Sequence, residues 1–228
     1  MIIGSGLVGS ALKQSFSGLQ YCVYAAGVSN SGCTDVGEFL RERARLVEAL
    51  SIHAGCDRFV YFGTCSASDP SAFKSGYVQH KMAMEDLVRQ HPRHLVLRLP
   101  QVAGRTPNPH TLLNFLHARI SRSEKFEIWE RSTRNVLDIE DIAALVGHLV
   151  LREGAIRETI NVANPSSMPV LDIVAAMEEV VGKPAVFETR ALGSSYLIDC
   201  ARIESAIGEA GLNLQGNYLE RVLKKYYG

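Results

Sequence analysis

The sequence lacks a surplus of charge of either sign, since 24 lysines and arginines are balanced by 24 aspartates and glutamates among 228 residues. A balanced chain offers no basic field for nucleic acid or for an anionic membrane surface. It also lacks an apolar run of membrane-spanning length and a basic segment followed by an apolar stretch at its N-terminus. These absences predict a cytoplasmic protein whose partners are neither nucleic acid nor membrane.

Paired cysteines are missing as well. The five cysteines are odd in number, widely spaced and without a C-x-x-C pair: Cys22, Cys33, Cys56, Cys65 and Cys200. This pattern is typical of reduced thiols and predicts neither a disulfide framework nor a metal site. Hydrophobic residues make up 46% of the chain and charged residues 21%, which predicts a globular protein with a real core.

Short β-rich runs alternate with helical segments along most of the chain. Strands are predicted over residues 1–3, 21–27, 58–63, 94–99 and 159–163. Helices are predicted near 38–54, 74–90, 112–120, 170–181 and 218–226, after a first helix that ends near Ser17 and is stopped by Gly18. Strands that alternate with helices form right-handed βαβ units. The predicted fold class is therefore α/β, with a Rossmann-like, doubly wound parallel sheet.

The segment between the first helix and the second strand is unusually short. A parallel βαβ crossover needs a dozen or more residues, and a dinucleotide-binding fold would insert a further strand and helix here. Either the sheet lacks one N-terminal strand–helix unit, or this segment is assigned wrongly.

A glycine-rich loop joins the first strand to the first helix, with the sequence Gly4-Ser5-Gly6-Leu7-Val8-Gly9. In a dinucleotide-binding loop, Gly4 permits the tight turn, Gly6 lets the backbone approach a pyrophosphate, and Gly9 lets helix and strand pack closely. The following helix directs N–H groups at the phosphates. A simple helix-capping turn is the alternative. An acidic residue about 20 positions further on, which would bind the ribose 2′-OH, has no counterpart. The motif therefore predicts NAD or NADP as cofactor, with NAD slightly preferred.

Tyr77 and Lys81 lie one turn apart on a predicted helix. A phenol titrates near 10, so acid–base work at neutral pH requires lowering its pKa by about 3 units, roughly 4 kcal/mol. A neighbouring ammonium and a positively charged nicotinamide could supply that shift. The alternative is a half-buried tyrosine beside a solvated lysine.

Thr64 follows the third predicted strand, where loops at the carboxyl edge of a parallel sheet face the ligand crevice. Its hydroxyl could donate to a substrate oxygen while Tyr77 exchanges a proton there. The alternative is a threonine that caps its own turn.

The order of these motifs resembles the extended short-chain dehydrogenase/reductases, also called the NAD-dependent epimerase/dehydratase family. The glycine loop is similar to the family's own, Ala25-Ala26-Gly27 to its adenine-side motif, and Thr64 falls at its catalytic Ser/Thr. Three later segments are similar to family segments: 98–104, 134–141 and 159–163. The likeness covers nearly the whole of an atypically short member.

The resemblance implies a Tyr77, Lys81 and Thr64 catalytic group, a nucleotide-sugar substrate, and a homodimer formed through the helices around Leu46 and Met82. The implied cofactor residues are Gly4, Ser5, Gly6, Leu7, Val8, Gly9, Ala25, Ala26, Gly27, Thr64, Tyr77, Lys81, Leu99 and Pro100. Residues 1–164 would form the dinucleotide-binding domain, with 105–134 contributing to the substrate site, and 165–228 a small substrate lobe.

Four residues are predicted to contact substrate: Cys65, Gln101, His110 and Arg134. Cys65 and His110 are similar to a cysteine and a histidine of GDP-fucose synthase, although Cys65 is offset by one position. Arg134 would bind the diphosphate, or else pair with Asp138 or Asp141.

The reaction predicted is epimerisation or carbonyl reduction. Thr64 is followed by Cys65 and Ser66 instead of the acidic pair of sugar dehydratases, which makes dehydration the less favoured reaction. A non-catalytic dinucleotide sensor with the same fold is the alternative function.

Overall fold

The computed structural model describes residues 1–13, 16, 20–152 and 156–228, so the predicted helix end near Ser17 and Gly18 lies outside the described residues. The helices are α1 (Leu7–Leu12), α2 (Val36–Ile52), α3 (Gly76–Val88), α4 (Leu112–Ser121), α5 (Ile139–Leu151), α6 (Val170–Val181), α7 (Glu204–Glu209) and α8 (Tyr218–Tyr227). The strands are β1 (Ile2–Ile3), β2 (Tyr21–Tyr24), β3 (Arg58–Thr64), β4 (His94–Leu99), β5 (Gln101–Ala103), β6 (Phe126–Trp129), β7 (Thr133–Arg134), β8 (Val136–Asp138), β9 (Glu158–Asn161), β10 (Met168–Pro169) and β11 (Phe187–Arg190).

The central sheet has five parallel strands in the order β1-β2-β3-β4-β9. Because side chains alternate along a strand, β2 sends Cys22 and Tyr24 into one apolar cluster and Val23 into another. The first cluster lies under α2 and α3, and the second includes Leu12 of α1 and Leu145 of α5. Helices on both faces confirm the predicted doubly wound, Rossmann-like α/β fold.

Strand β1 is an edge of this sheet. It pairs only with β2 among the described strands, with Ile2 opposite Val23 and Ile3 opposite Tyr24. The few residues between α1 and β2 are too short to hold another strand and helix. The shortened N-terminal half predicted from the sequence is therefore present, and the missing unit leaves the outer side of β1 unpaired within the described chain.

The C-terminal segments fold against residues from the middle of the chain. Strand β11 pairs with β6, β10 pairs with β7, and α6 packs against both α4 and α8. The segments at 126–134 and 165–190 therefore pair with each other, whereas the turn at 201–203 packs against β9 and α7 packs against α5. A domain division at residue 164 stays a prediction.

Helix α2 turns a charged residue to the core. Val47 is 47% exposed although its neighbour Leu46 is fully buried, while Glu42 is only 3% exposed. The inward positions are Glu42, Leu46 and Ala49, so a carboxylate occupies the core-facing stripe.

None of the helices in the described ranges combines the length and apolar character needed to cross a bilayer.

Candidate active site

A cleft of about 810 Å³ opens at the carboxyl ends of the parallel strands. Such a volume lies at the upper end of the range for small-molecule sites. All the predicted cofactor residues except Gly9 line it, namely Gly4, Ser5, Gly6, Leu7, Val8, Ala25, Ala26, Gly27, Thr64, Tyr77, Lys81, Leu99 and Pro100. The structure therefore brings together motifs that are separated by more than 90 positions in the sequence.

The glycine loop has three glycines with three different surroundings. Gly4 has φ +123°, and a Cβ there would lie 2.3 Å from the Ala25 carbonyl oxygen. A Cβ on Gly9 would lie 2.5 Å from the Gly4 carbonyl oxygen, so Gly9 packs helix on strand behind the cleft. A Cβ on Gly6 would meet no atom within 4 Å. Gly6 is thus the position at which the backbone is open to a ligand, as the motif predicts.

Thr64 and Tyr77 lie on neighbouring walls of the cleft. Thr64 ends β3 and its hydroxyl oxygen accepts from the Ser66 N–H at 3.2 Å, so it caps the next turn. That contact leaves the hydroxyl proton available to a ligand. Tyr77 lies in the first turn of α3, and both side chains are more than nine-tenths buried.

Lys81 belongs to a buried polar group that joins α2, α3 and β3, here called the α2–α3 cluster: Glu42, Tyr61, His80 and Lys81. One oxygen of Glu42 accepts from the Tyr61 hydroxyl at 2.8 Å and from Lys81 Nζ at 3.2 Å. The other oxygen lies 2.9 Å from His80 Nε2 and accepts from the Val28 N–H at 2.7 Å. Lys81 Nζ also lies 4.5 Å from the centre of the Tyr61 ring. The carboxylate is therefore fully partnered, as a buried charge must be.

These contacts decide the ionisation of Glu42. Burial alone raises the pKa of a carboxyl, but the contacts from His80, Lys81, Val28 and Tyr61 outweigh it and lower the pKa of Glu42 to about 2. Glu42 is therefore ionised at neutral pH although it is buried.

Tyr77 and Lys81 respond differently. Burial, followed by the negative charge of Glu42, raises the pKa of Tyr77 to about 12, while its contact with Thr64 acts in the opposite direction. Burial lowers the pKa of Lys81, and Glu42 opposes that shift. In the protein alone, burial and Glu42 dominate the pKa of Tyr77, and Lys81 is paired with a carboxylate. The lowering of that pKa by Lys81 together with a bound nicotinamide stays a prediction.

Gly27 makes room for this arrangement at the end of β2. A Cβ on Gly27 would lie 2.7 Å from Lys81 Nζ and 2.8 Å from Glu42 Oε1. The glycine of the Ala25-Ala26-Gly27 motif therefore has a packing role toward the α2–α3 cluster as well as a place in the cleft wall.

The four predicted substrate residues divide into two pairs. Gln101 and His110 line the cleft. Cys65 is buried outside the lining, where its thiol donates to the Arg98 carbonyl oxygen at 3.3 Å and burial raises its pKa. Arg134 also lies outside the lining and donates to the Thr133 carbonyl oxygen at 2.8 Å.

The alternative ion pairs of Arg134 are not formed. Asp138 binds Lys225 at 2.8 Å, and Asp141 accepts from Tyr218 at 2.6 Å. Within the described ranges, no group of three or more His, Cys, Asp or Glu side chains is placed to hold a metal ion.

Sequence reasoning missed Glu42, Tyr61 and His80, and two arginines in the cleft wall, Arg45 and Arg105. One signal was present: Phe39, Glu42, Leu46 and Ala49 follow helical spacing, so a charge interrupts an otherwise apolar stripe. A buried charge in such a stripe requires a partner.

The fold and cleft together define a doubly wound α/β protein with a glycine loop and a tyrosine–lysine pair facing one crevice. Residues 38–163 match the NAD dependent epimerase/dehydratase family. The match spans more than half of the chain, which belongs to this family. No curated protein sequence matches it.

Solved structures of similar fold come from several organisms. An epimerase from Methanothermobacter thermautotrophicus has a TM-score of 0.75 at 17% identity, over 97% of this chain and 76% of its own. UDP-glucuronic acid 4-epimerase from Bacillus cereus, solved with UDP-glucuronic acid and NAD, has a TM-score of 0.73 at 16% identity, over 97% and 79%. RMD from Pseudomonas aeruginosa, solved with NADPH, has a TM-score of 0.66 at 16% identity, over 97% and 86%. At these identities the likeness shows the fold.

Proposed function

We propose that the chain is an NAD(P)-dependent epimerase or ketoreductase that acts on a nucleotide-activated sugar. The observation that carries the proposal is that one cleft is lined both by the glycine loop and by Thr64, Tyr77 and Lys81. Family membership and the ligands of similar structures, NAD, NADPH and a UDP-sugar, agree with it.

The cleft wall fits a dinucleotide at the glycine loop. Gly6 has open space where any other residue would place a Cβ, and Gly4 takes a backbone conformation that L side chains rarely adopt. A bound nicotinamide dinucleotide would supply hydride-transfer chemistry. Ala25, Ala26 and Gly27 would border its adenine side, and Leu99 and Pro100 the far side of the cleft.

The residues of the chain would then handle the proton. Thr64 can donate its hydroxyl proton to a substrate oxygen, and Tyr77, which also lines the cleft, can exchange a proton with that oxygen. The phenol carries its proton at neutral pH, but a pKa of about 12 makes it a weak acid, so turnover would require the bound ligands to lower that pKa. Proton donation to a carbonyl oxygen is the step that a reduction requires.

Replacing Tyr77 by phenylalanine tests this function. We expect Tyr77→Phe to lose nearly all turnover on nucleotide sugars with NAD(H) or NADP(H), while dinucleotide binding, followed by fluorescence, is retained. Tyr21→Phe is the matched control, since Tyr21 begins β2 at the end away from the cleft. Full activity in Tyr77→Phe, or no binding of either dinucleotide at millimolar concentration by the unaltered chain, would contradict the proposal.

One observation favours the second candidate, a dinucleotide sensor without turnover. Lys81 is paired with a buried carboxylate, and the pKa of Tyr77 is raised instead of lowered. A sensor would bind dinucleotide and show the same behaviour before and after Tyr77→Phe.

The proposal extends to assembly and location. A homodimer through α2 and α3, the helices around Leu46 and Met82, would cover Leu40 and Val47, which are 60% and 47% exposed. Free thiols in all five cysteines agree with the reducing cytoplasm.

A further inference from the structure

The charges in the cleft wall have one sign. Arg45, Lys81 and Arg105 line the cleft, and no aspartate or glutamate of the described chain does. The undescribed residues between Lys13 and Gln20 carry no carboxylate in the sequence either. In doubly wound folds, a carboxylate beside the adenosine ribose binds the 2′-OH of NAD, whereas an arginine accommodates the 2′-phosphate of NADP. Since Lys81 is paired with Glu42, the charges in the wall that remain for a ligand are those of Arg45 and Arg105, and arginine is the residue that suits a 2′-phosphate.

Arg45 lies on the flank of α2 that is turned toward the edge strand β1. Phe39 stacks on His80 of α3 with ring centres 4.5 Å apart, so that flank of α2 faces α3. Arg45 follows six residues later, about 240° around the helix, and therefore lies on the opposite flank. That side adjoins the sheet edge where the strand–helix unit is missing.

A second observation links this part of α2 to the end of β2. The Tyr24 hydroxyl donates to the Glu42 carbonyl oxygen at 3.3 Å, three residues before Arg45 on α2, and the charge of Arg45 opposes the rise in the pKa of Tyr24 that burial and Glu42 cause. Tyr24 is the last residue of β2, opposite Ile3 of β1. Arg45, Tyr24 and the Ala25-Ala26-Gly27 segment, the adenosine side of the proposed site, line one cleft.

The guanidinium of Arg45 is available to a ligand. Arg41, one turn earlier, is paired with Glu38. Arg45 is exposed, and no carboxylate of the described residues lies within ion-pair distance of it. A planar guanidinium binds two phosphate oxygens at once, which gives it both strength and geometric selectivity.

We propose that Arg45 binds the 2′-phosphate of an adenine dinucleotide, so that the cleft takes NADP(H) in preference to NAD(H). The inference rests on the proposed dinucleotide site. The sequence motifs favoured NAD slightly, whereas this inference favours NADP(H). The motifs concern the pyrophosphate and the adenine, which the two cofactors share, and contain no residue for the 2′ position.

Fluorescence titration with NADPH and NADH tests the preference without any turnover. We expect the unaltered chain to bind NADPH about tenfold tighter or more, as a charged hydrogen bond predicts. Arg45→Ala should lose that advantage and leave NADH binding unchanged, and Arg45→Glu should favour NADH. Arg43→Ala is the matched control, an exposed arginine of the same helix outside the cleft lining, and should change neither affinity. Adenosine 2′,5′-bisphosphate should displace NADPH from the unaltered chain better than ADP does.

Several outcomes would overturn the inference. Tighter or equal binding of NADH by the unaltered chain would do so, as would an Arg45→Ala variant in which NADH binding falls as much as NADPH binding, or in which neither affinity changes. Loss of binding in Arg45→Ala counts only if its melting temperature matches that of Arg43→Ala. If NADH binds well without preference, this inference alone fails; if neither dinucleotide binds, the proposed function fails with it.

Discussion

The glycine loop and the α2–α3 cluster, which reaches the cleft through Lys81, are built in opposite ways. The glycine loop is made from six consecutive residues and has no charged side chain, and its shape follows from what glycine lacks. In the α2–α3 cluster, the partners of Glu42 lie 19 to 39 positions away from it in the sequence, and its shape follows from polar and charged groups that satisfy one another inside the protein. The comparison shows that a binding surface can be encoded locally, whereas the ionisation of the reacting groups depends on distant partners.

Glu42→Gln is expected to have the largest effect. The substitution keeps the shape of the side chain but leaves Lys81 buried without its counter-charge, and breaking a buried ion pair costs about 3–5 kcal/mol. Urea unfolding would measure the loss. Glu38→Gln, which removes an exposed pair with Arg41 on the same helix, should cost well under about 1 kcal/mol. Equal losses in the two variants would mean that the cluster does not hold the helices together.

Gly4→Ala should come next, with a loss of about 3 kcal/mol from backbone strain and from the clash with the Ala25 carbonyl. Gly6→Ala is its counterpart: its stability should change by less than about 1 kcal/mol, since the new Cβ meets nothing and the backbone is extended. Dinucleotide binding should nevertheless fall in Gly6→Ala, because the methyl group enters the cleft. Thermal unfolding measures the change in stability, and fluorescence titration measures the change in dinucleotide binding. A Gly6→Ala variant as unstable as Gly4→Ala would contradict the different roles of the two glycines.

Lowering the pH should remove the stability that the α2–α3 cluster contributes, progressively over several pH units. The pKa of Glu42 is lowered from 4.5 to about 2, so the folded state binds its proton less readily than the unfolded state does. The resulting stability is present above pH 4.5 and is lost as the pH falls toward 2, with about 2 kcal/mol gone at pH 3. Unfolding free energies measured from pH 6 to pH 3 would show this slope, and Glu42→Gln should lack it. The same slope in both proteins would assign the acid sensitivity to other carboxyls.

Much of the fold could be predicted because its signals are local. The strands at 58–63 and 94–99 and the helix at 170–181 match β3, β4 and α6 within a residue, since apolar runs and helical spacing are properties of consecutive residues. Helix α5 was not predicted, although its buried residues, from Ile139 to Val150, recur at helical spacing. The strands β5 to β8, β10 and β11 have two to four residues and are too short to show a period.

The candidate site divides in the same way. The glycine loop and the spacing of Tyr77 and Lys81 could be predicted, because one helical turn is enough to bring two side chains together. Arg45 could not be assigned, since it has the pattern of an ordinary charged residue of an amphipathic helix, and the position of Glu42 in an apolar stripe did not identify its partners. Only the packing of α2 decides that Glu42 points into the protein and that Arg45 lines the cleft.

The amino-acid sequence by itself determined the alternation of strands and helices, the shortened N-terminal half and the motifs that gather at the carboxyl edge of the sheet, because each depends on neighbours in the chain. The tertiary structure alone decided that Lys81 faces a buried carboxylate, that Tyr77 is desolvated and that Arg45 enters the cleft wall. Electrostatic energies depend on distance in space and on burial, and neither quantity is carried by position along the chain.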